Sequence, residues 1–392
     1  MLRSRLATRL LFAVTGIAVS TACVAIVSLV RGRLESVPIA QRPPKFRIER
    51  QKLPGNTRTL RCSPNGGAFC IVTSDNRLWV YTGKGLLQYS LELPDITAAV
   101  VTDDAGYAAA YSEKDPSRTQ VTFLNSSGRV DWKLRVRGAI WCADVFGDAC
   151  EATFAIGTGE GYIYLIQVKP DSKRFRRFRV PGAVTSVVLD PNSQRIVFAT
   201  WQRSSIGQFT WKGRRQWTVD LQPALIYRAN PSNSSDRILA YGTPLRPGPD
   251  GELCALRDGA IQWRTAVNSE QCLDVAFACG GDYICLAQEN VIKHEGRSVR
   301  EKHALLLDGS GRKLVDKGSL FFGVRPLMVT RDGGVLLYGN EKALFSMNSV
   351  GKLEKVANLP SRIVRSSVSR DGNLLLLECA GGILLRLTPI RI

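Results

Sequence analysis

Gly128-Arg-Val-Asp-Trp132 decides the fold, because its pattern of a turn glycine, three residues and an aromatic side chain returns along the chain. Two further full copies are Gly213-Arg-Arg-Gln-Trp217 and Gly259-Ala-Ile-Gln-Trp263, and Gly85-Leu-Leu-Gln-Tyr89 is a conservative variant. Weaker copies end at Phe175, Val315 and Lys355. The last positions of the copies are 89, 132, 175, 217, 263, 315 and 355, with steps of 43, 43, 42, 46, 52 and 40. A period of about 44 residues in β-rich sequence predicts a propeller with one four-stranded blade per repeat.

A second series of turns, rich in Gly, Asn and Asp, supports the same period independently. These residues tolerate the backbone angles of tight hairpins, and a β-rich run follows each turn. The turns contain Asn65-Gly66, Asp104-Ala-Gly106, Phe146-Gly-Asp148, Pro191-Asn192, Ser234-Ser-Asp236, Gly280-Gly-Asp282, Asp332-Gly333 and Asp371-Gly372. Eight inner turns stand against seven outer turns, so the last blade lacks an outer strand.

The segment Lys45-Phe-Arg-Ile-Glu-Arg50 can supply that strand, since it lies one period before Tyr89 and alternates between apolar and charged residues. Its pairing with the last blade would close the ring and cover the exposed faces of the terminal blades. The sequence therefore predicts an all-β, eight-bladed β-propeller over residues 45–392. Seven blades are the alternative if the stretched sixth repeat is divided differently. The polar insertion in that repeat, residues 289–303, is predicted to form a protruding loop.

The N-terminal region differs from the repeats in composition. Residues 10–30 contain no charged side chain, and arginines flank both ends. A run of about 20 apolar residues can cross a bilayer as a helix, and this run is longer than the apolar core of a cleaved signal peptide. We therefore expect a retained transmembrane signal anchor, preceded by a cytoplasmic tail of residues 1–9 and followed by a linker of residues 31–44. The propeller would then lie on the periplasmic or extracellular side.

The charge of the chain favours anionic partners. Lysine and arginine total 53 against 34 acidic residues, which gives a formal net charge of +19. Phospholipid head groups, an anionic polymer or an acidic protein would suit this excess, and a solvated basic surface is the alternative; nucleic acid is not favoured. The densest basic run supplies the candidate anion-binding residues Lys173, Arg174, Arg176, Arg177 and Arg179. The run also falls on an outer strand, where charge prevents edge-to-edge pairing.

Three pairs of cysteines are placed symmetrically about inner hairpin turns. They are Cys62 with Cys70, Cys142 with Cys150, and Cys279 with Cys285. Symmetry about a turn predicts that the two side chains face each other, so each pair is a candidate disulfide. Alternatively, these cysteines are small buried apolar residues; the odd number left over (Cys254, Cys272 and Cys379) weakens the disulfide interpretation.

The glycine turn that leads into a tryptophan resembles the tryptophan-docking repeats of quinoprotein dehydrogenases and their non-enzymatic relatives. The Asp-Gly turns are also similar to those of WD40-like propellers, although the Gly-His and Trp-Asp pairs of true WD40 repeats are absent. The resemblance implies that Tyr89, Trp132, Trp217 and Trp263 pack between neighbouring blades. A quinoprotein enzyme would also carry two adjacent cysteines, and this chain has no such pair. The resemblance therefore implies a fold rather than an activity.

The sequence contains no motif that indicates catalysis, a metal or a cofactor. Its two histidines, His294 and His303, lie in the insertion with a spacing that is not typical of metal ligands. We expect a membrane-anchored, non-enzymatic scaffold for protein partners in a membrane-associated assembly. An outer-membrane assembly lipoprotein with similar repeats is an architectural analogue of such a scaffold. The alternatives are a receptor for an anionic polymer or ligand, and a quinoprotein-type enzyme.

Overall fold

The structure, a computed structural model, describes residues 42–113, 115, 119–221, 225–231, 237–244, 251–267, 272–277, 282–294, 297–320, 325–339 and 342–390. These residues form 32 β-strands in eight four-stranded antiparallel sheets. The predicted anchor, residues 10–30, lies outside this set, and within the set no helix is long and apolar enough to span a membrane.

Each sheet is one blade, and in blades 1 to 7 the strands run from the innermost to the outermost in chain order. Blades 1 to 3 consist of β2 (Thr57–Cys62), β3 (Ala68–Thr73), β4 (Arg77–Thr82) and β5 (Leu87–Glu92); β6 (Ala98–Val101), β7 (Tyr107–Tyr111), β8 (Gln120–Asn125) and β9 (Val130–Arg135); β10 (Ile140–Gly147), β11 (Ala152–Thr158), β12 (Tyr162–Lys169) and β13 (Ser172–Arg179). Blades 4 and 5 consist of β14 (Val184–Asp190), β15 (Arg195–Thr200), β16 (Ser205–Thr210) and β17 (Arg215–Asp220); β18 (Leu225–Pro231), β19 (Arg237–Pro244), β20 (Gly251–Arg257) and β21 (Ala260–Val267).

Blades 6 and 7 consist of β22 (Cys272–Phe277), β23 (Tyr283–His294), β24 (Arg297–Asp308) and β25 (Lys313–Leu320); β26 (Arg325–Val329), β27 (Val335–Gly339), β28 (Ala343–Met347) and β29 (Leu353–Asn358). Blade 8 combines β30 (Ile363–Val368), β31 (Leu375–Cys379) and β32 (Ile383–Ile390) with β1 (Lys45–Lys52) from the other end of the chain. β1 runs antiparallel to β32, from Lys45 opposite Ile390 to Lys52 opposite Ile383. The sheet is completed because Phe46 and Ile48 pack beside Leu385 and Leu387.

The hydrophobic core is divided among the interfaces between blades. Eight apolar clusters each join two neighbouring blades, and the one between blade 8 and blade 1 contains Leu374, Leu376, Phe69 and Ile71. Middle strands such as β3 are buried along their whole length because a blade covers each of their faces. Since burial of one large aliphatic side chain contributes about 1.5–3 kcal/mol, each cluster holds its two blades firmly together.

The strand order gives the ring two distinct faces. The turns between first and second strands and between third and fourth strands lie on one face, here called the turn face. The turns between second and third strands lie on the other face, here called the connection face, together with the links from blade to blade. The chain enters the propeller on the turn face, because Pro44 lies against Gly334 in the first turn of blade 7.

The insertion in the sixth repeat is a hairpin on the connection face, and the prediction of a loop was wrong. β23 and β24 remain paired from Tyr283 opposite Asp308 to His294 opposite Arg297. Continuous pairing satisfies the backbone hydrogen-bonding groups of this polar segment. His303 lies in β24, and its Nδ1 is 2.9 Å from Oδ1 of Asp316 in the neighbouring strand β25.

Candidate functional site

Aromatic side chains of the outer strands lie against the turn glycine of the next blade. The pairs are Tyr89 on Gly128, Trp217 on Gly259 and Trp263 on Gly311. A Cβ atom added to these glycines would lie 2.7, 3.0 and 2.8 Å from the ring, and their φ angles are +75°, +78° and +82°. Glycine is therefore required twice, for the left-handed backbone and for the close approach of the ring.

Blade 3 departs from this arrangement because its outer turn has no glycine. In blades 1, 2, 4 and 5 the outer turn begins with glycine, and the pairing of the third and fourth strands contains a β-bulge. In blade 3, β12 and β13 pair without a bulge. Phe175, which the spacing assigned to the docking position, is therefore 50% exposed, and Phe178 packs on Gly213 of blade 4 instead. Trp132 of blade 2 stacks on Phe123, with ring centroids 5.2 Å apart, and lies 6.5 Å from Phe175.

The strand registers contradict two of the predicted disulfides. Cys62 lies opposite Phe69 while Cys70 lies opposite Arg61, so the two thiols are on opposite faces of the hairpin. The turn is centred between two residues rather than on Gly66, which shifts the register by one position.

The second hairpin turns later than predicted. β10 continues through Gly147, so Cys142 lies opposite Gly157 and Cys150 lies in the exposed turn. Burial raises the pKa of the Cys142 thiol to about 12. For the third pair, Cys279 lies outside the described residues, and Cys285 lies opposite Ala276.

The first strands of the blades line a central channel with a cavity of about 720 Å³. Four arginines, Arg61, Arg228, Arg325 and Arg370, line it together with the carboxylate of Asp144. Arg370 of blade 8 reaches across the channel, forms an ion pair with Asp144 of blade 3 and donates a hydrogen bond of 2.6 Å to the carbonyl of Leu189 in blade 4. Both side chains of the pair are only 17% exposed. Part of the charge in the channel therefore serves to tie distant blades together.

Two carboxylates on the turn face tie blade 2 to both of its neighbours. Oδ1 of Asp103 in blade 2 accepts a hydrogen bond of 2.6 Å from the backbone N–H of Asn65 in blade 1. Oδ2 of Asp104 accepts one of 2.7 Å from the N–H of Ala149 in blade 3. Burial raises the pKa of Asp103, and its hydrogen bonds oppose that shift. These acidic residues have structural roles that the sequence did not reveal.

The predicted basic run is divided between the two ends of β13. Lys173 is neutralised by Asp131, with Nζ 2.9 Å from Oδ1, and Nη1 of Arg176 donates to the carbonyl of Lys212 at 3.2 Å. Arg174 is exposed. Arg177 and Arg179 lie at the other end of the strand, on the connection face. The five side chains therefore do not form one anion site.

Arg177 and Arg179 instead join Arg137 around one aromatic ring. The Cζ atoms of Arg137, Arg177 and Arg179 lie 5.5, 5.1 and 4.8 Å from the centroid of the Tyr162 ring. Nη1 of Arg179 donates to the Tyr162 hydroxyl at 2.5 Å, and Nε of Arg137 donates to Oε2 of Glu160 at 2.9 Å. These five residues are here called the Tyr162 cluster. Three guanidinium groups with one carboxylate partner attract anions.

Arg137, Glu160 and Tyr162 could not be identified as a cluster from the sequence. Arg137 lies in the link between blades 2 and 3, and the other two lie beside the turn that precedes β12. No motif joins them, because the link that holds Arg137 meets β12 and its preceding turn only in the folded ring. Among the described residues, no group of three or more His, Cys, Asp and Glu side chains is arranged to hold a metal ion.

Comparisons with known proteins identify the fold. No family model and no curated protein matches the sequence. Saccharomyces cerevisiae Sqt1 is 13% identical with a TM-score of 0.61, covering 90% of this chain and 100% of its own. The Dos1 propeller is 12% identical with a TM-score of 0.60, covering 88% and 94%. BamB from Moraxella catarrhalis is 13% identical with a TM-score of 0.60, covering 87% and 98%. Together with the eight sheets, this similarity confirms the eight-bladed β-propeller.

Proposed function

We propose that the protein is a membrane-anchored, non-catalytic β-propeller that acts as a protein-interaction scaffold outside the cytoplasmic membrane. The observation that carries this proposal is the ion pair of Arg370 with Asp144, which crosses the central channel of the closed ring. A ligand that filled the channel would have to displace a largely buried ion pair, and breaking such a pair is costly. The loops on the two faces are the better place for partners, since loops on a rigid frame commonly carry binding.

The apolar run of residues 10–30 supports the membrane anchor, and the partners would belong to a membrane-associated assembly. The test is affinity capture of the tagged full-length protein from its native membrane, with washes at low salt and at about 1 M salt, where charge interactions are screened beyond about 3 Å. A stoichiometric protein that survives the high-salt wash is the expected result. Recovery of only lipid, polysaccharide or nucleic acid, released by salt, would contradict the scaffold.

The side of the membrane can be tested through Cys150, an exposed thiol on the turn face. Treatment of intact cells with a membrane-impermeant maleimide should label the wild-type protein. The matched Cys150→Ser variant should show the remaining labelling of the other thiols. If Cys150 reacts only after the cells are lysed, the propeller faces the cytoplasm and the proposed location is wrong.

A receptor for an anionic polymer or lipid head groups is the second candidate. The Tyr162 cluster and the net charge of +19 favour it. The same capture experiment separates the two candidates, because binding through charge alone weakens steeply with salt.

A further inference from the structure

Two stacked tryptophans lie on the connection face, between blades 3 and 4. The ring centroids of Trp141 and Trp201 are 5.8 Å apart, with an angle of 27° between the rings. Both side chains are partly exposed, and neither belongs to the apolar clusters between blades. Trp141 lies in β10, and Trp201 follows β15 in the turn between the second and third strands of blade 4.

The position of Trp141 is a site of repeated irregularity. The ladder between the first and second strands contains a bulge in six blades, and a bulge redirects the side chain of its extra residue. The extra residues are Arg58, Trp141, Thr185, Leu273, Leu327 and Val364. Trp141 is the aromatic residue of this set, so blade 3 places an aromatic ring where the other five blades have aliphatic or polar residues.

The backbone that holds Trp201 is strained. Gln202 and Ser204 have φ angles of +79° and +51°, which non-glycine residues rarely adopt. The Ser204 hydroxyl donates a hydrogen bond of 2.8 Å to the carbonyl of Leu225 in blade 5, which fixes the turn. Strain of this kind concentrates at functional sites, where the surrounding structure holds a side chain in place.

The tryptophan pair is continuous with the Tyr162 cluster. A Cβ atom on Gly159 would lie 2.6 Å from Nε1 of Trp141, and one on Gly138 would lie 2.8 Å from Cγ of Glu160. Gly159 and Glu160 are neighbours in the same turn. The surface that contains the two tryptophans and the Tyr162 cluster, here called the Trp–Arg surface, therefore combines apolar rings with an excess of positive charge.

We propose that the Trp–Arg surface binds an acidic segment of a protein partner, which also inserts an apolar or aromatic side chain against Trp141 and Trp201. This inference rests on the proposed function and names the site and chemistry of the partner. Guanidinium groups bind carboxylates in a planar, two-point geometry. Tryptophan and arginine are enriched among the residues that contribute most to binding at protein interfaces, and this surface brings the two together while the buried Tyr162 ring supports the guanidinium groups.

The test measures binding of the full-length protein in detergent to two fluorescent polymers of equal length, polyglutamate and a copolymer of glutamate and tyrosine. Fluorescence anisotropy should show tighter binding of the copolymer. The Trp141→Ala and Trp201→Ala variants should each weaken copolymer binding roughly tenfold and abolish the preference. The Arg177→Ser/Arg179→Ser variant should weaken binding of both polymers.

A matched control removes the same charge from the neighbouring blade. The exposed Arg214 and Arg215 lie at the opposite end of blade 4, so the Arg214→Ser/Arg215→Ser variant should bind both polymers as the wild type does. Trp141→Phe should retain most of the preference, and it keeps the test decisive if Trp141→Ala does not fold. Urea unfolding of each variant verifies that the ring is intact.

Equal affinity of the wild type for the two polymers, or an equal loss in the control variant, would overturn the proposal in favour of general charge attraction. Heparin or single-stranded DNA that displaces the copolymer more readily than polyglutamate does would overturn it in favour of another class of polyanion. If a native partner is captured equally well by the Trp141→Phe/Arg177→Ser/Arg179→Ser variant, the scaffold stands and this site for it falls. If no protein partner is captured at all, the scaffold falls, while the copolymer still decides the chemistry of the surface.

Discussion

Asp103 shows how a partly buried carboxylate can link two blades with a stability that depends on pH. Its Oδ1 accepts the hydrogen bond from Asn65 in the neighbouring blade, and burial raises the pKa of Asp103 above its usual range. Because the folded-state pKa is raised, the contribution of Asp103 to stability is greatest below the unfolded-state pKa of about 3.9 and declines as the pH rises through the folded-state pKa.

The Asp103→Asn variant should therefore gain stability relative to the wild type as the pH rises from about 3.5 to 7. The amide oxygen can still accept the hydrogen bond from Asn65, while the charge that is disfavoured by burial is removed. The measurement is the free energy of unfolding in urea at both pH values. A variant that loses stability relative to the wild type as the pH rises would show that the ionised carboxylate is favoured in the folded ring.

The side chains of the Tyr162 cluster mark the limit of prediction at the residue scale. Arg177 and Arg179 were found because they belong to a dense run of charge in the sequence. Arg137 and Tyr162 carry no such signal, because the link that holds Arg137 meets β12 only in the folded ring. The prediction of a disulfide between Cys62 and Cys70 was wrong for a related reason, since a shift of one position in the hairpin register moves the two side chains to opposite faces.

At the scale of the element, the outer turn and its glycine determine the contact between blades. Gly128 permits both the positive φ angle of the turn and the approach of the Tyr89 ring. The docked aromatic residue could therefore be predicted from the sequence where a turn glycine leads into one, as at Tyr89, Trp217 and Trp263. In blade 3, which lacks it, the docked ring moved from Phe175 to Phe178.

Two glycines with nearly equal φ angles separate these two requirements. Gly128 has a φ angle of +75° and meets the Tyr89 ring, whereas Gly382 has a φ angle of +74° and nothing within 4 Å of an added Cβ atom. Gly382→Ala should lower the free energy of unfolding by about 1–2 kcal/mol through backbone strain alone. Gly128→Ala should lower it by about 2–4 kcal/mol, because overpacking adds to that strain. Equal losses in urea unfolding would mean that the Tyr89 ring moves away freely.

At the scale of the whole molecule, the ring depends on one strand from the far end of the chain. β1 completes blade 8 through its pairing with β32, and Arg386 of β32 in turn contacts Glu49 of β1 and donates to the carbonyl of Gly83 in blade 1 at 2.9 Å. The number of blades could be predicted from the sequence because every repeat keeps an inner turn. The hairpin structure of the insertion could not be predicted, since a polar hairpin and a polar loop have similar compositions.

Disruption of β1 should therefore affect the entire ring. The Phe46→Asp/Ile48→Asp variant places two charges beside Leu385 and Leu387, and we expect a loss of at least about 3 kcal/mol in the free energy of unfolding, with aggregation on size-exclusion chromatography. Arg47→Ser is the matched control, because the Arg47 side chain is 73% exposed and its ion pair with Glu49 should contribute little. A double variant that elutes and unfolds as the wild type does would show that the ring stays shut without this strand.

The pairing of β1 with β32 also determines when the newly synthesised chain can complete its last blade. The ribosome produces Lys45 long before Ile390, so β1 stays without its partner while the strands of the intervening blades are synthesised. At about 5–20 residues per second, this delay is roughly 20–70 s. Throughout that time the nascent chain exposes an unpaired strand and the open edge of an incomplete sheet, both of which attract other chains. A cell that makes this protein therefore has to keep the first strand unoccupied until the last one emerges.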